Sequence, residues 1–159
     1  MLRQLTRFFL VAGLLALLTA CATTPDTPVT LSVSNLARGA YSNLEIERFQ
    51  IIHDAATLER LWQQAQISKP VPTIDFTQNS VVLVALGERP TGGYRVDVSQ
   101  AVKARQRIEI TVTIRKPGDQ CVVTQVVTMP YHFVAVPIPR DISLPIDFTV
   151  EHNIIQCGG

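Results

Sequence analysis

The spacing of apolar residues changes repeatedly along this chain, and each pattern predicts a different element. Residues 8–18 form a continuous apolar run behind the basic Arg3 and Arg7. The run is as long as a signal-peptide core and well short of the roughly 20 residues that cross a bilayer. Residues 22–30 then carry Pro25, Pro28 and several threonines with no apolar period. Such a stretch buries too little apolar surface to offset its ordering entropy, so it reads as a tether. Residues 31–34 form a weak strand pattern and residues 44–53 a stronger one. In residues 55–66, Leu58, Leu61, Trp62 and Ala65 recur at three- and four-residue steps. That period makes one apolar helix stripe, with Asp54 placed to cap it and Trp62 assigned to the core. Lys69-Pro70-Val71-Pro72 stops the helix.

The remaining segments read as strands. Residues 81–86 are continuously apolar and β-branched, the pattern of a central strand covered on both faces. Residues 94–99 alternate, and residues 108–114 alternate without a break, with Glu109, Thr111 and Thr113 toward water. Pro117-Gly118-Asp119 turns the chain into a strand at 122–129. Residues 131–136 and 146–155 complete the set, separated by the proline-rich 137–145. With short links and a single helix, this predicts a mainly β (α+β) fold: an antiparallel β-sandwich or open barrel with one packed helix.

The apolar run at the start ends in Leu18-Thr19-Ala20-Cys21, which resembles a bacterial lipobox, where cleavage precedes a cysteine that becomes lipidated. The reading is a lipoprotein signal peptide at 1–20, a tether at 21–30 carrying the lipid on Cys21, and a single β-rich domain at 31–159. Several acyl chains on one cysteine hold firmly to a membrane where one chain would not. Ala22 rather than Asp follows the cysteine, which resembles sorting to the periplasmic face of the outer membrane. Of the 14 basic residues, Arg3 and Arg7 fall in the signal segment, leaving 12 against 13 acidic ones. A near-neutral chain offers no electrostatic case for nucleic acid. Lys103, Arg105 and Arg107 cluster in what reads as a solvated hairpin tip.

Two further cysteines, Cys121 and Cys157, remain in a chain read as exported to an oxidising compartment, where an even pair bonds. Closing their loop of about 36 residues stabilises by about 3–4 kcal/mol in the chain-entropy model.

No catalytic, cofactor or metal motif stands out. There is no Gly-x-Ser-x-Gly elbow, phosphate-cradling glycine loop or His-Glu-x-x-His pair. His53, His132 and His152 are far apart in sequence. Asp75 and Asp147, each between Ile and Phe, are the nearest approach to a carboxylate pair and read as strand-edge or turn residues. The chain is therefore expected not to be an enzyme. The segment with a shape of its own is Gly87-Glu88-Arg89-Pro90-Thr91-Gly92-Gly93-Tyr94. Pro90 stiffens one side of this loop, and Gly92 and Gly93 permit positive φ or close backbone approach on the other. Arg89, Pro90, Thr91, Gly92, Gly93 and Tyr94 are the candidate partner-binding loop, and a connection that simply needs glycine is the competing reading.

Ile74-Asp75-Phe76, the strand at 81–87, Pro90-Thr91-Gly92-Gly93-Tyr94-Arg95-Val96, Thr128-Met129-Pro130 and Val134-Ala135-Val136-Pro137 together resemble the C-terminal domain family of the protease-complex subunit PrcB. The resemblance spans residues 49–139. It implies a non-catalytic, partner-binding domain of exported bacterial proteins, associating with or stabilising an exported protease. A second, weaker similarity runs to chagasin-type cysteine protease inhibitors, whose Asn-Pro-Thr-Thr-Gly loop enters the enzyme cleft. Here Arg89 replaces the Asn and Gly92 the second Thr, and no Arg-Pro-Trp loop follows. Inhibition through the 89–94 loop, and a purely structural role in the envelope, stand as alternatives.

Overall fold

The computed structural model describes residues 27–157. The signal segment, Cys21 and most of the tether lie outside the described residues. Two four-stranded sheets face each other. The first has the order β1 (Val29–Leu31), β5 (Arg95–Lys103), β6 (Ile108–Pro117), β8 (Ile146–Ile155). The second has the order β2 (Ser34–Gly39), β7 (Tyr131–Val136), β4 (Ser80–Leu86), β3 (Glu47–Ile52). The helix α1, Ala55–Gln64, covers the outer face of the second sheet. The architecture is a β-sandwich with one helix, and the described strands close no barrel.

The unbroken apolar run becomes β4 because that strand is the middle layer. Val82, Val84 and Leu86 face the first sheet, where Val96, Val98, Ile108, Ile110 and Val112 meet them. Val81, Leu83 and Ala85 face the other way, onto Leu58, Leu61 and Trp62 of α1 and onto Phe133. Alternate side chains of a strand point to opposite faces, so both parities must be apolar here. The helix starts at Asp54, whose Oδ1 accepts from Thr57 N–H at 2.8 Å. That backbone hydrogen bond also lowers the Asp54 carboxyl from its ordinary value. The helix ends two residues before the sequence pattern does, because Gln66 takes a left-handed φ of 53°. Trp62 is buried in the core, and its indole N–H donates to Lys69 O at 2.8 Å.

Four expectations need correction. The tether is shorter than residues 21–30, since β1 already pairs Val29 with Lys103. The weak strand at 31–34 is instead the junction between β1 and β2, where the chain leaves one sheet for the other. Ladders are not all antiparallel: β8 runs parallel to β6 over its whole length. The chain visits the second sheet as β7 between them, so β8 is not forced to double back as a hairpin strand would be. Residues 122–129 form no strand. Their contact with the 87–94 loop is an isolated bridge between Arg89 and Thr128, and the ladder stops there because Pro90 has no N–H to extend it.

Lys103, Arg105 and Arg107 do lie at the β5–β6 turn, closed by Ala104 N–H on Arg107 O at 2.9 Å. Cys121 and Cys157 are joined in a disulfide with a Cα–Cα distance of 4.9 Å. It ties the start of the 118–130 arm to the end of β8. Among the described residues, no helix is long and apolar enough to cross a membrane.

Candidate functional site

The 87–94 loop does not stand free. Gly87, at φ 69°, turns the chain out of β4 so closely past residues 45–47 that an added Cβ would lie 2.6 Å from Glu45 O. Arg89 reaches Glu47 at 2.9 Å and exchanges two backbone hydrogen bonds with Thr128. Gly92 N–H donates to Thr124 O at 2.9 Å, and Thr128 Oγ1 donates to Thr91 O at 2.9 Å. Pro90 and Gly93 are exposed, whereas Gly92 is buried and Arg89, Thr91 and Tyr94 are half-buried. The bare wedge pictured from the sequence is thus a ribbon lying flat on the arm. Gly92 is needed for close approach, since a Cβ there would meet Thr124 Oγ1 at 2.3 Å. Gly93 is needed for its φ of 87°. On the outside of the arm, Val122, Val126 and Val127 are exposed.

Beside this ribbon a groove opens along the seam between the sheets. Its cavity of about 390 Å³ is lined by Arg38–Ala40 at the end of β2, by residues 93–97, and by Arg115 and Tyr131. β1 pairs only with Ala101–Lys103, so the first half of β5 has β6 on one side and no strand on the other. Asp97 holds two arginines from different sheets, Arg38 Nη1 at 3.3 Å on Oδ1 and Arg115 Nη1 on Oδ2. Arg38 is mostly exposed, so its pair contributes little to stability and matters for where the guanidinium sits.

The seam is stitched from within by His132. Just before a β-bulge at Val98–Gln100, the alternation of the ladder turns the Val98 N–H away from β6, and it donates to His132 Nδ1 at 3.0 Å. The ring's other nitrogen lies 3.0 Å from Asn35 Oδ1 on β2. This arrangement needs the neutral tautomer with the proton on Nε2. Burial lowers the His132 pKa; Asp97, with Oδ1 3.9 Å from Nδ1, works against that shift, and Arg38 adds to it. Burial also raises the Tyr131 phenol from its ordinary value.

The other sequence candidates are dispersed. His53 Nδ1 lies 2.9 Å from Ser80 Oγ, but the Ser80 hydroxyl proton is committed to Ile138 O at 2.6 Å. The imidazole therefore donates to that oxygen and does not draw a proton from it. His152 is exposed on β8. Asp75 closes a turn, accepting from Thr77 N–H at 2.9 Å and from Thr77 Oγ1 at 2.6 Å, and these bonds lower its carboxyl. Asp147 lies exposed on β8, paired in register with Glu109 of the neighbouring strand β6 in the same sheet. Among the described residues, no three His, Cys, Asp or Glu side chains gather to hold a metal ion.

The groove residues Arg38, Asp97, Arg115 and Tyr131 escaped the sequence reading, since they come from four strands, and His132, noted there only as an isolated histidine, lies buried behind them. One signal was present: Asp97 sits between Val96 and Val98, in a strand flanked by arginines.

Fold and site together define a β-sandwich with a basic groove along its seam and exposed valines on the arm that adjoins it at Gly93. Residues 80–137 match the model of the family described as PrcB C-terminal, so the resemblance to that family holds over β4 to β7 with the loop and arm between them. A search of curated proteins and a search of solved structures found no match. None of the three comparisons shows the similarity to chagasin-type inhibitors.

Proposed function

We propose that this protein is a lipid-anchored, non-catalytic partner-binding domain of the bacterial envelope that associates with an exported protease complex. The observation that carries the reading is the coincidence of the family match with one structural unit. Residues 80–137 contain the buried strand that founds the fold, the 87–94 ribbon and the arm. The arm exposes Val122, Val126 and Val127, apolar surface that covers no part of the core. The groove beside it supplies charge, and an apolar centre with a polar flank is the make-up of a protein-binding surface. The Leu18-Thr19-Ala20-Cys21 motif supports anchoring through lipid on Cys21, and Ala22 supports residence at the periplasmic face of the outer membrane.

Capture of the detergent-solubilised lipoprotein from its own membranes tests the association. A stoichiometric exported protease, or a subunit bound to one, is the expected result. Recovery of the lipoprotein alone after gentle crosslinking overturns it and leaves a structural envelope role. Anchoring is tested separately: Cys21→Ser should leave the membrane fraction, and a variant that still partitions there after a high-salt wash contradicts the lipid assignment.

A further inference from the structure

We infer that the seam groove is the seat of an extended acidic peptide segment of the partner protein. The inference deepens the partner-binding reading and rests on it. Three observations define the occupant. The first is an unfilled strand edge. In an antiparallel ladder, residues two apart turn their backbone groups to the same side. Val98 turns its N–H away from β6, to His132, so Val96 presents its N–H and C=O to that same side. There the opposite wall is Arg38–Ala40, with the Tyr131 ring packed against Gly39. An extended chain laid there adds backbone hydrogen bonds, which is β-augmentation.

The second observation is charge. Arg38, Arg95 and Arg115 line the groove against the single acid Asp97. Asp97 engages one nitrogen of Arg38 and one of Arg115, and each guanidinium has five N–H donors in a planar fork. Asp97 thus orients two forks without consuming them, leaving donors for an incoming carboxylate. The side chains of Arg38 and Arg115 are 67% and 40% exposed, so these donors are open to a ligand. The third is length. Arg95–Asp97, the part of β5 that lines the groove, spans on the order of 10 Å as an extended strand, which suits about three residues of a peptide and exceeds a single inorganic anion.

The test is a fluorescence-anisotropy titration of the solubilised full-length lipoprotein. The probe is a labelled seven-residue peptide alternating Val with Glu. Its isosteric control alternates Val with Gln. The acidic probe should bind at micromolar concentration, more weakly as salt rises, and at least about tenfold more tightly than the control. Arg38→Glu should weaken it about tenfold or more, as should Arg95→Glu, which serves if Arg38→Glu no longer unfolds cooperatively. Equal binding of the two peptides, or affinity untouched by both substitutions, overturns the inference. So does full displacement of the probe by inorganic phosphate, or by anionic phosphatidylglycerol vesicles, at matching charge concentration, since the groove would then be a general anion site. Failure here with a protease still captured places the partner on another surface. Binding here with no protease captured leaves the groove standing and removes the protease association.

Discussion

Replacing His132 with Phe removes the acceptor on which the seam depends. His132 is 5% exposed and receives the Val98 N–H that β5 turns away from β6. Phenylalanine keeps a flat ring of similar size, so the perturbation is mainly polar. It leaves the Val98 N–H buried without a partner, which costs about 1–3 kcal/mol. The Asn35 carbonyl, nearer the surface, recovers a water at little cost. At a urea dependence of about 1–3 kcal/mol per molar, the unfolding midpoint should fall by roughly 1 M. The pH profile supplies a second readout. The folded pKa of His132 lies below its ordinary 6.5, so the unfolded chain binds the extra proton first as pH falls. The stabilisation is therefore complete above about pH 6.5 and drains away as pH drops through the folded pKa, by at most about 1.4 kcal/mol per pH unit. Asp54 and Asp75, also lowered in the folded state, add their own loss only near and below pH 3.8, outside this window. Urea unfolding at pH 7.5 and at intervals down to pH 5 checks both effects. The wild type should lose stability across that range and His132→Phe should lose less. A midpoint unchanged by the substitution, or identical pH slopes for the two proteins, would refute the role assigned to this imidazole.

Two more expectations follow from the same structure. Mass spectrometry of non-reduced peptides should find Cys121 linked to Cys157, and the double Cys→Ser variant should lose about 3–4 kcal/mol for a separation of 36 residues; free thiols in protein purified without reductant contradict it. Gly87→Ala should cost more than about 2 kcal/mol, because it combines a φ of 69° with a backbone clash at 2.6 Å, whereas Gly92→Ala meets mainly the rotatable Thr124 Oγ1 and should be largely relieved by Thr124→Ala. Thermal melts of the three variants decide the order.

What could be read from the sequence was whatever carried a strong local period. Residues 81–86, 131–136 and 146–155 come within a residue of β4, β7 and β8, since each is a dense apolar or alternating run between turn residues. Helix α1 was equally plain from Leu58, Leu61 and Trp62. β2 was not, because Ser34-Asn35-Leu36-Ala37-Arg38-Gly39 has little alternation and a bulge after Asn35, and its place comes from pairing with β7. The valines of 122–129 have strong strand propensity, yet the ribbon they meet is capped by Pro90 and cannot extend a ladder. The 89–94 loop was visible as glycine and proline chemistry, but its flat lie depends on Thr124 and Thr128, more than 30 residues away. The groove was invisible for the same reason, as Arg38, Asp97 and Arg115 meet only once both sheets have formed.

The central claim is that this face holds another exported protein, and site-specific photocrosslinking in intact cells tests it most directly. A photoreactive residue at Val127, 53% exposed on the arm, should give one discrete adduct whose second component is an exported protease or its subunit. The same residue at exposed Gln63 on α1, on the far side of the second sheet, should give none. An adduct from Gln63 alone, or none from either position, would contradict the account.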